Sequence, residues 1–261
     1  TVVKSGNGGA VWVPKNWLGQ EVIVILPDKP KLNVKEKVIH LLEPYLKDII
    51  AIFLYGSYAR HEETKESDID VMVITKDRNI PIKIKEPNLE VTIFELDKLK
   101  EAIKKYPVMY YQIVQEAEPL INAYVVEELK NIKVENERFK HYISETKEHF
   151  QSNKELIELD KLDSEYVMSY SVIYSTMLRL RGIFIIKCAL NKEKFSNKAF
   201  REWLIHSGMT NQEFEQCYTA YRIIRNNKDI KNIKIKISVA EKLLNILIKE
   251  TSVIEAKHYG K

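Results

Sequence analysis

The sequence predicts an α+β protein in three parts: a short β module, a small mixed-sheet domain and an all-α helical bundle. Three observations lead there. Residues 1–31 set short β-branched runs between Gly, Asn, Asp and Pro punctuation. Residues 32–123 place helix-period stripes beside compact apolar runs of strand length. Residues 124–261 carry helical periodicity and capping signals for five helices.

Composition bounds what such a chain can be. Its 261 residues are 45% apolar, enough for real cores. Charged residues make up 30%, with many Lys, Glu and Ile, a balance compatible with heat adaptation. The net charge of +4 neither requires nor excludes a nucleic-acid partner, so any basic surface must be argued locally. The two cysteines, Cys188 and Cys217, lie far apart in apolar helical contexts without metal-ligand spacing. They read as buried thiols in a reducing compartment. The start of the chain lacks the charged-then-apolar pattern of a leader. The longest apolar run, residues 166–190, is interrupted by Arg179 and Arg181 and reads as a core helix and not a membrane span. A cytoplasmic protein without membrane partner is the expectation.

The first segment reads as strands over residues 2–13 and 22–26, with one helical turn over 14–18 between them. The string from Val3 to Val22, with Gly6-Asn7-Gly8-Gly9 and the two tryptophans Trp12 and Trp17, resembles the AbrB-like and transposon-associated β modules, in which two chains interlock. So short a unit cannot bury a core alone and is expected to form a homodimer or pack on its neighbour. Lys4 and Lys15 leave DNA binding open, though two lysines make a poor phosphate footprint.

In the central part, Val34, Val38, Leu41, Leu42 and Leu46 form a helical stripe that Pro44 should kink or end. Residues 49–55 then read as a buried strand, followed by Gly56-Ser57 and a polar segment expected to open as a short helix. The next strand opens on Asp68 and Asp70. Two residues apart in β structure, they share one face while Val71 and Val73 take the other. Gly56 lets backbone approach a ligand without a Cβ, and amides at a helix start suit a phosphate.

Gly56-Ser57, ten residues, then Asp68-Ile69-Asp70, with apolar strands on either side, resembles the signature of DNA polymerase β-like nucleotidyltransferases, in particular the minimal and kanamycin-nucleotidyltransferase-like branches. The resemblance implies a magnesium-dependent enzyme of EC 2.7.7 type that transfers a nucleoside monophosphate, AMP from ATP, to an acceptor hydroxyl on a small molecule, protein or RNA end. It implies a two-ion Mg²⁺ site, Mn²⁺ being the alternative, at Asp68 and Asp70, and nucleotide phosphates at Gly56, Ser57 and Arg60. Arg60 keeps two readings, a grip on phosphate or a pair with Glu62, Glu63 or Asp68. Lys65 and Ser67 could touch phosphate or shape the turn.

Two ions need more than two carboxylates. Glu90, opening the strand of residues 89–94, is the expected third ligand, and its position resembles the family's acidic strand. Thr92 shares its face. A helix over Leu96 to Lys105 follows. Residues 110–117, then Glu118-Pro119-Leu120-Ile121-Asn122, read as the strand that closes the sheet, with Tyr110 and Tyr111 a candidate base-stacking pair.

In the last part, Phe139, Ile143, Thr146 and Phe150 give an amphipathic helix, and residues 163–190 a central one. Ser196, the box Thr210 to Glu213, and Ser238 to Glu241 read as caps of three more. The arrangement resembles the helical substrate-binding domains that follow kanamycin-type transferases, and HEPN domains. A HEPN-like ribonuclease through Arg201 and His206 is one alternative, and a DNA-binding antitoxin-type regulator another. Against the first, the two residues fall about 140° apart on a helix. Tyr221, Arg222, Arg225, Lys228, Lys231, Lys234 and Lys236 form the densest basic stretch, read as a solvated edge or as a phosphate- or RNA-binding edge opposing the cleft.

Overall fold

The computed structural model describes residues 3–21, 33–65, 67–77, 82, 84, 86–230 and 233–259. It divides into two units, residues 1–37 and 38–261. The strand expected over residues 22–26, part of the lysine-rich excursion at 81–87, and Lys231 lie outside the described residues.

In the first unit the expected run folds back on itself. β1 (Val3–Ser5) pairs antiparallel with β2 (Gly8–Ala10), and Gly6 adopts φ +57° in the turn. A single 3₁₀ turn, Lys15–Trp17, follows at the predicted place. Of residues 3–21 only Ala10 is even half-buried, so this stretch has no core of its own. Asn33 and Glu36 exchange hydrogen bonds between side chain and backbone (3.0 and 2.9 Å) and start α1 (Val34–Leu42).

The second unit begins as a small sheet with strand order β5-β4-β3-β6. Pro44 ends α1 as expected, and the chain tightens into a 3₁₀ helix, Glu43–Asp48. β3 (Ile49–Tyr55) lies antiparallel to β4 (Ile69–Thr75), with Phe53 opposite Met72 and Tyr55 opposite Asp70. The four-residue helix α2 (Gly56–Ala59) sits between them. β5 (Leu89–Glu95) runs parallel to β4, and α3 (Leu96–Lys105) has the predicted bounds. β3 and β4 are buried on both faces, as their uninterrupted apolar sequences require. Ala51, Phe53, Met72 and Ile74 share one core with Leu99 and Ile103 of α3.

The closing strand is shorter than the sequence suggested. Residues 110–115 belong to a helix, α4 (Pro107–Gln115), which Glu116 caps, and only Glu118–Ile121 form β6. An apolar run of this length is ambiguous by periodicity. Pro107 decides it by fixing φ at the first helical turn, where its missing N–H costs nothing. Pro119 is tolerated because β6 is the sheet edge. Tyr110 is spent on Phe94, edge to face at 5.4 Å. α5 (Ala123–Lys130) puts Val125, Val126 and Leu129 into the same core as Phe53.

Among the described residues five α-helices follow: α6 (Lys140–Asp163), α7 (Tyr170–Asn191), α8 (Asn197–His206), α9 (Asn211–Arg225) and α10 (Ile237–His258). Their core runs from Phe139 to Ile254, with α7 central. α7 starts at Tyr170 and not at residue 163. Asp160 explains the difference, because its carboxylate accepts from Met168 N–H, Ser169 N–H and Ser169 Oγ–H (each 2.8 Å) and holds the intervening turn. Ser196 caps α8 through Ala199 N–H, and Thr210 with Glu213 forms the predicted capping box of α9. Ser238 does not cap α10, which begins one residue earlier from an extended Lys236. Both cysteines are buried and free, and burial pushes the Cys188 thiol up to about 11 and Cys217 up to about 12. Among the described residues no helix is long and apolar enough to cross a membrane.

Gly182 lets α6 and α7 approach. A Cβ at this position would overlap the Tyr142 hydroxyl and ring. Helix propensity alone favours Gly182→Ala by about 1 kcal/mol. Overpacking costs about 1–3 kcal/mol and should win. The expected outcome is a lower Tm for Gly182→Ala, with recovery when Tyr142→Ala is added, measured by thermal denaturation.

Candidate active site

The site is built where β3 ends. Tyr55 is extended, and the next residue, Gly56, takes φ +73°, turning the chain sharply into α2. A Cβ on Gly56 would run into Oδ2 of Asp70. Glycine is therefore required twice, for the backbone angle and for the close approach of the turn to the carboxylate. Asp70 lies on the face of β4 that carries Met72 and Ile74 into the core, at the open end of that row. Asp68 is exposed just before the strand. Parallel pairing puts Glu90 of β5 directly in register with Asp70, and Tyr55 Oη and Thr92 Oγ1 are 3.2 Å apart beside them.

A cleft of about 1040 Å³ opens at this end of the sheet. Gly56, Ser57, Arg60, Asp68, Asp70 and Glu90 are all on its wall. Ser67 lines it too, with its hydroxyl accepting from Thr64 N–H at 2.9 Å. Burial first, and then the charge of Glu90, push the Asp70 carboxyl up to about 6. Asp68 and Glu116 add to this, while Arg225 opposes it. Carboxylate oxygens on one wall, with burial and then neighbouring charge keeping a proton on Asp70, suit a divalent cation, whose charge would offset both. Among the described residues no three His, Cys, Asp or Glu side chains are already gathered at ligand spacing.

Arg60 pairs with protein carboxylates, as one of its two sequence readings allowed. Its Nε donates to Glu62 Oε2 (2.8 Å) and its Nη1 to Glu116 Oε2 (2.7 Å). Glu116 also accepts from Gly56 N–H (2.7 Å) and from Gln112 (3.0 Å). With side chains only 7–20% exposed, this network ties the end of α4 to the Gly56 turn. Glu62 extends it to the bundle, taking the N–H groups of Asn197 and Lys198 at the start of α8. Sequence reasoning missed Glu116. Reading residues 110–117 as a strand hid the one-turn relation to Gln112 that a helical reading would have exposed.

The bundle supplies the opposite wall. Arg181, Asn197, Tyr218, Arg222, Arg225 and Lys228 face the cleft, so part of the basic stretch opposes the carboxylates. Tyr221 is buried and stacked on Tyr174, and Lys234 lies over the Tyr166 ring. Tyr110 and Tyr111 do not line the cleft, whereas their neighbours Met109 and Ile113 do. Arg201 and His206 are not brought together. Arg201 is held by Glu215 and Asn211, and His206 Nδ1 bonds the Glu202 carbonyl oxygen (2.7 Å). In the N-terminal unit Lys4 and Lys15 are both exposed.

Residues 36–138 match the family described as "Polymerase beta, Nucleotidyltransferase". This segment belongs to that family. The "Putative protein adenylyltransferase MJ1547" of Methanocaldococcus jannaschii is 46% identical over 39 residues, which are 15% of this chain and 32% of that protein. The chain thus matches about a third of the curated relative's length. A nucleotidyltransferase-like protein from Exiguobacterium sibiricum is similar at a TM-score of 0.41 and 12% identity, covering 86% of this chain and 76% of its own. The spectinomycin adenyltransferase AAD(9) from Enterococcus faecialis, solved with ATP and spectinomycin, is similar at 0.45 and 15%, covering 81% and 97%.

The shift at Asp70 has a sign. Between about pH 4 and 6 the folded chain keeps a proton that the unfolded chain has released. Stability therefore falls as the pH rises through that window, and at neutral pH the buried charge is a net cost. In EDTA, Asp70→Asn should melt above the wild type at pH 7.5, by roughly 2–4 °C, and level with it at pH 4. Thermal melts at both pH values check this.

Proposed function

We propose that this chain transfers a nucleoside monophosphate, AMP from ATP, to the hydroxyl of an acceptor, with Mg²⁺ held by Asp68, Asp70 and Glu90. Mn²⁺ is a suitable substitute for the same oxygen donors. The observation that carries this reading is the meeting of Asp70, in register with Glu90, with the Gly56 turn, where only glycine fits. The family of residues 36–138 supports the reaction type, and the name of the Methanocaldococcus relative supports the adenylyl group.

The reaction forms a bond from the acceptor oxygen to the α-phosphorus as the bond to the pyrophosphate oxygen breaks, with loss of the hydroxyl proton. When bound, the divalent ions would lower the pKa of the attacking hydroxyl and neutralise charge on the leaving pyrophosphate. The protein's share is placement. Gly56 leaves room for the Asp70 carboxylate, and Ser57, on the cleft wall at the start of α2, offers its hydroxyl to a phosphate oxygen. Asp70 must be ionised to serve, which its raised pKa of about 6 allows at neutral pH and hinders in acid. Arg60 acts through the loop, its guanidinium locked between Glu62 and Glu116, so that the turn keeps its shape when phosphate enters. The acceptor is held by the bundle wall.

Calorimetry with ATP and Mg²⁺, together with label transfer from α-labelled ATP to the acceptor and pyrophosphate release from γ-labelled ATP, tests the proposal. The wild type should bind ATP in a Mg²⁺-dependent manner. Asp68→Ala and Asp70→Ala should each lower transfer by about 100-fold or more, the scale of losing a preorganised charge-stabilising group. Absence of Mg²⁺-dependent binding in the wild type, or transfer indifferent to both substitutions, would overturn it.

A further inference from the structure

The two walls of the cleft carry opposite charge. Among the described residues, 55–116 contribute Glu62, Asp68, Asp70, Glu90 and Glu116 and one lining cation, Arg60, which is already paired twice. Residues 181–228 contribute Arg181, Arg222, Arg225 and Lys228 and no carboxylate. Among the described residues none of those four cations has a carboxylate within ion-pair distance.

Arg181 differs from the other three in being built in. It projects from α7, and its guanidinium lies over the rings of Phe195 (5.0 Å), Phe200 (5.6 Å) and Tyr221 (5.9 Å). Its Nη1 donates to Asn197 Oδ1 at 2.8 Å, and the Tyr218 hydroxyl donates to the same oxygen at 3.3 Å. Asn197 is itself held by its backbone N–H on Glu62 (2.9 Å). The fork is thus stacked, oriented and half-buried, yet no carboxylate of the described residues pairs with it. Stacking stabilises a guanidinium without using up its remaining donors. The Phe195 ring also carries Arg60, at 5.6 Å. Arg225, by contrast, is the bundle cation that acts on Asp70.

Resting on the transferase reading above, we propose that Arg181 is the centre of an acceptor subsite for phosphate, so that the acceptor is phosphate-bearing, a nucleotide or the end of a nucleic-acid strand. A planar fork suits two phosphate oxygens at once. A polyammonium acceptor would meet four cations on this wall and is disfavoured by the same charges.

The test uses the full chain, a fluorescein-labelled tetraribonucleotide with a free 3′-hydroxyl, and a tetraglutamate peptide as the non-phosphate anion. Binding is followed by anisotropy in EDTA at low salt, and ATP binding by calorimetry with Mg²⁺. Arg181→Met keeps the apolar stem against the rings; it should weaken the oligonucleotide by about 10-fold or more, as loss of a charge-assisted pair of hydrogen bonds does. Its ATP affinity should stay within about twofold. Should Arg181→Met fail to give a cooperative melt, Asn197→Ala, which keeps the charge and frees its orientation, is expected to weaken the oligonucleotide while sparing ATP. The proposal is overturned if the wild type does not bind the oligonucleotide, if the peptide binds as tightly, or if Arg181→Met removes ATP binding, which would assign the fork to the triphosphate. Arg181-dependent oligonucleotide binding in a chain that binds no ATP would leave the subsite standing and remove the transferase reading.

Discussion

The contact that the candidate site depends on is the absence of an atom. Gly56 and Asp70 approach so closely that no side chain fits between them, and the chain can turn there only with positive φ. Everything nearby is arranged to hold that approach. The antiparallel pair Tyr55 and Asp70 brings Asp70 level with the residue before Gly56, and the packing on both buried faces of β3 and β4 locks the register, because a slip of one residue would send every side chain to the opposite face and undo the packing of both. From the other side, Glu116 takes the Gly56 N–H and Arg60 together. A buried carboxylate and guanidinium in such a network are expensive to separate, since either alone would be an uncompensated charge.

The same network passes to the bundle. Glu62 bonds Arg60 on one side and the first N–H groups of α8 on the other, where a carboxylate satisfies donors that the helix itself leaves open. The bundle wall is thereby registered to the sheet through a chain of charged hydrogen bonds, in addition to apolar packing. The result is a cleft with separated charges. Burial, and after it the acids of the sheet wall, raise the pKa of Asp70, and Arg225 of the bundle wall opposes them.

How much of this was legible varied with the kind of signal. The strands around Gly56-Ser57 and Asp68-Ile69-Asp70, the start of α3 at Leu96, the Ser196 cap and the Thr210 box were readable because each is decided within a few residues. The run from Pro107 to Ala117 was not, since its apolar pattern suits a strand or a buried helix equally. That misreading concealed Glu116, the carboxylate that accepts from the Gly56 N–H. The start of α7 was misplaced for a similar reason. Asp160 stops the helix by bonding backbone eight and nine residues away, a turn that no local propensity announces.

By itself the sequence determined the elements that carry the candidate nucleotide side, because glycine at a sharp turn and carboxylates two apart on a strand are constraints written in adjacent residues. It determined the helical class of the second half, through periodicity. Only the tertiary structure decided which residues face that site. Glu90 stands beside Asp70 through strand pairing, Glu116 reaches Gly56 from sixty residues on, and Arg181 and Arg225 arrive from α7 and α9. Such neighbours are set by packing and charge across long loops, and the chain order carries no local trace of them.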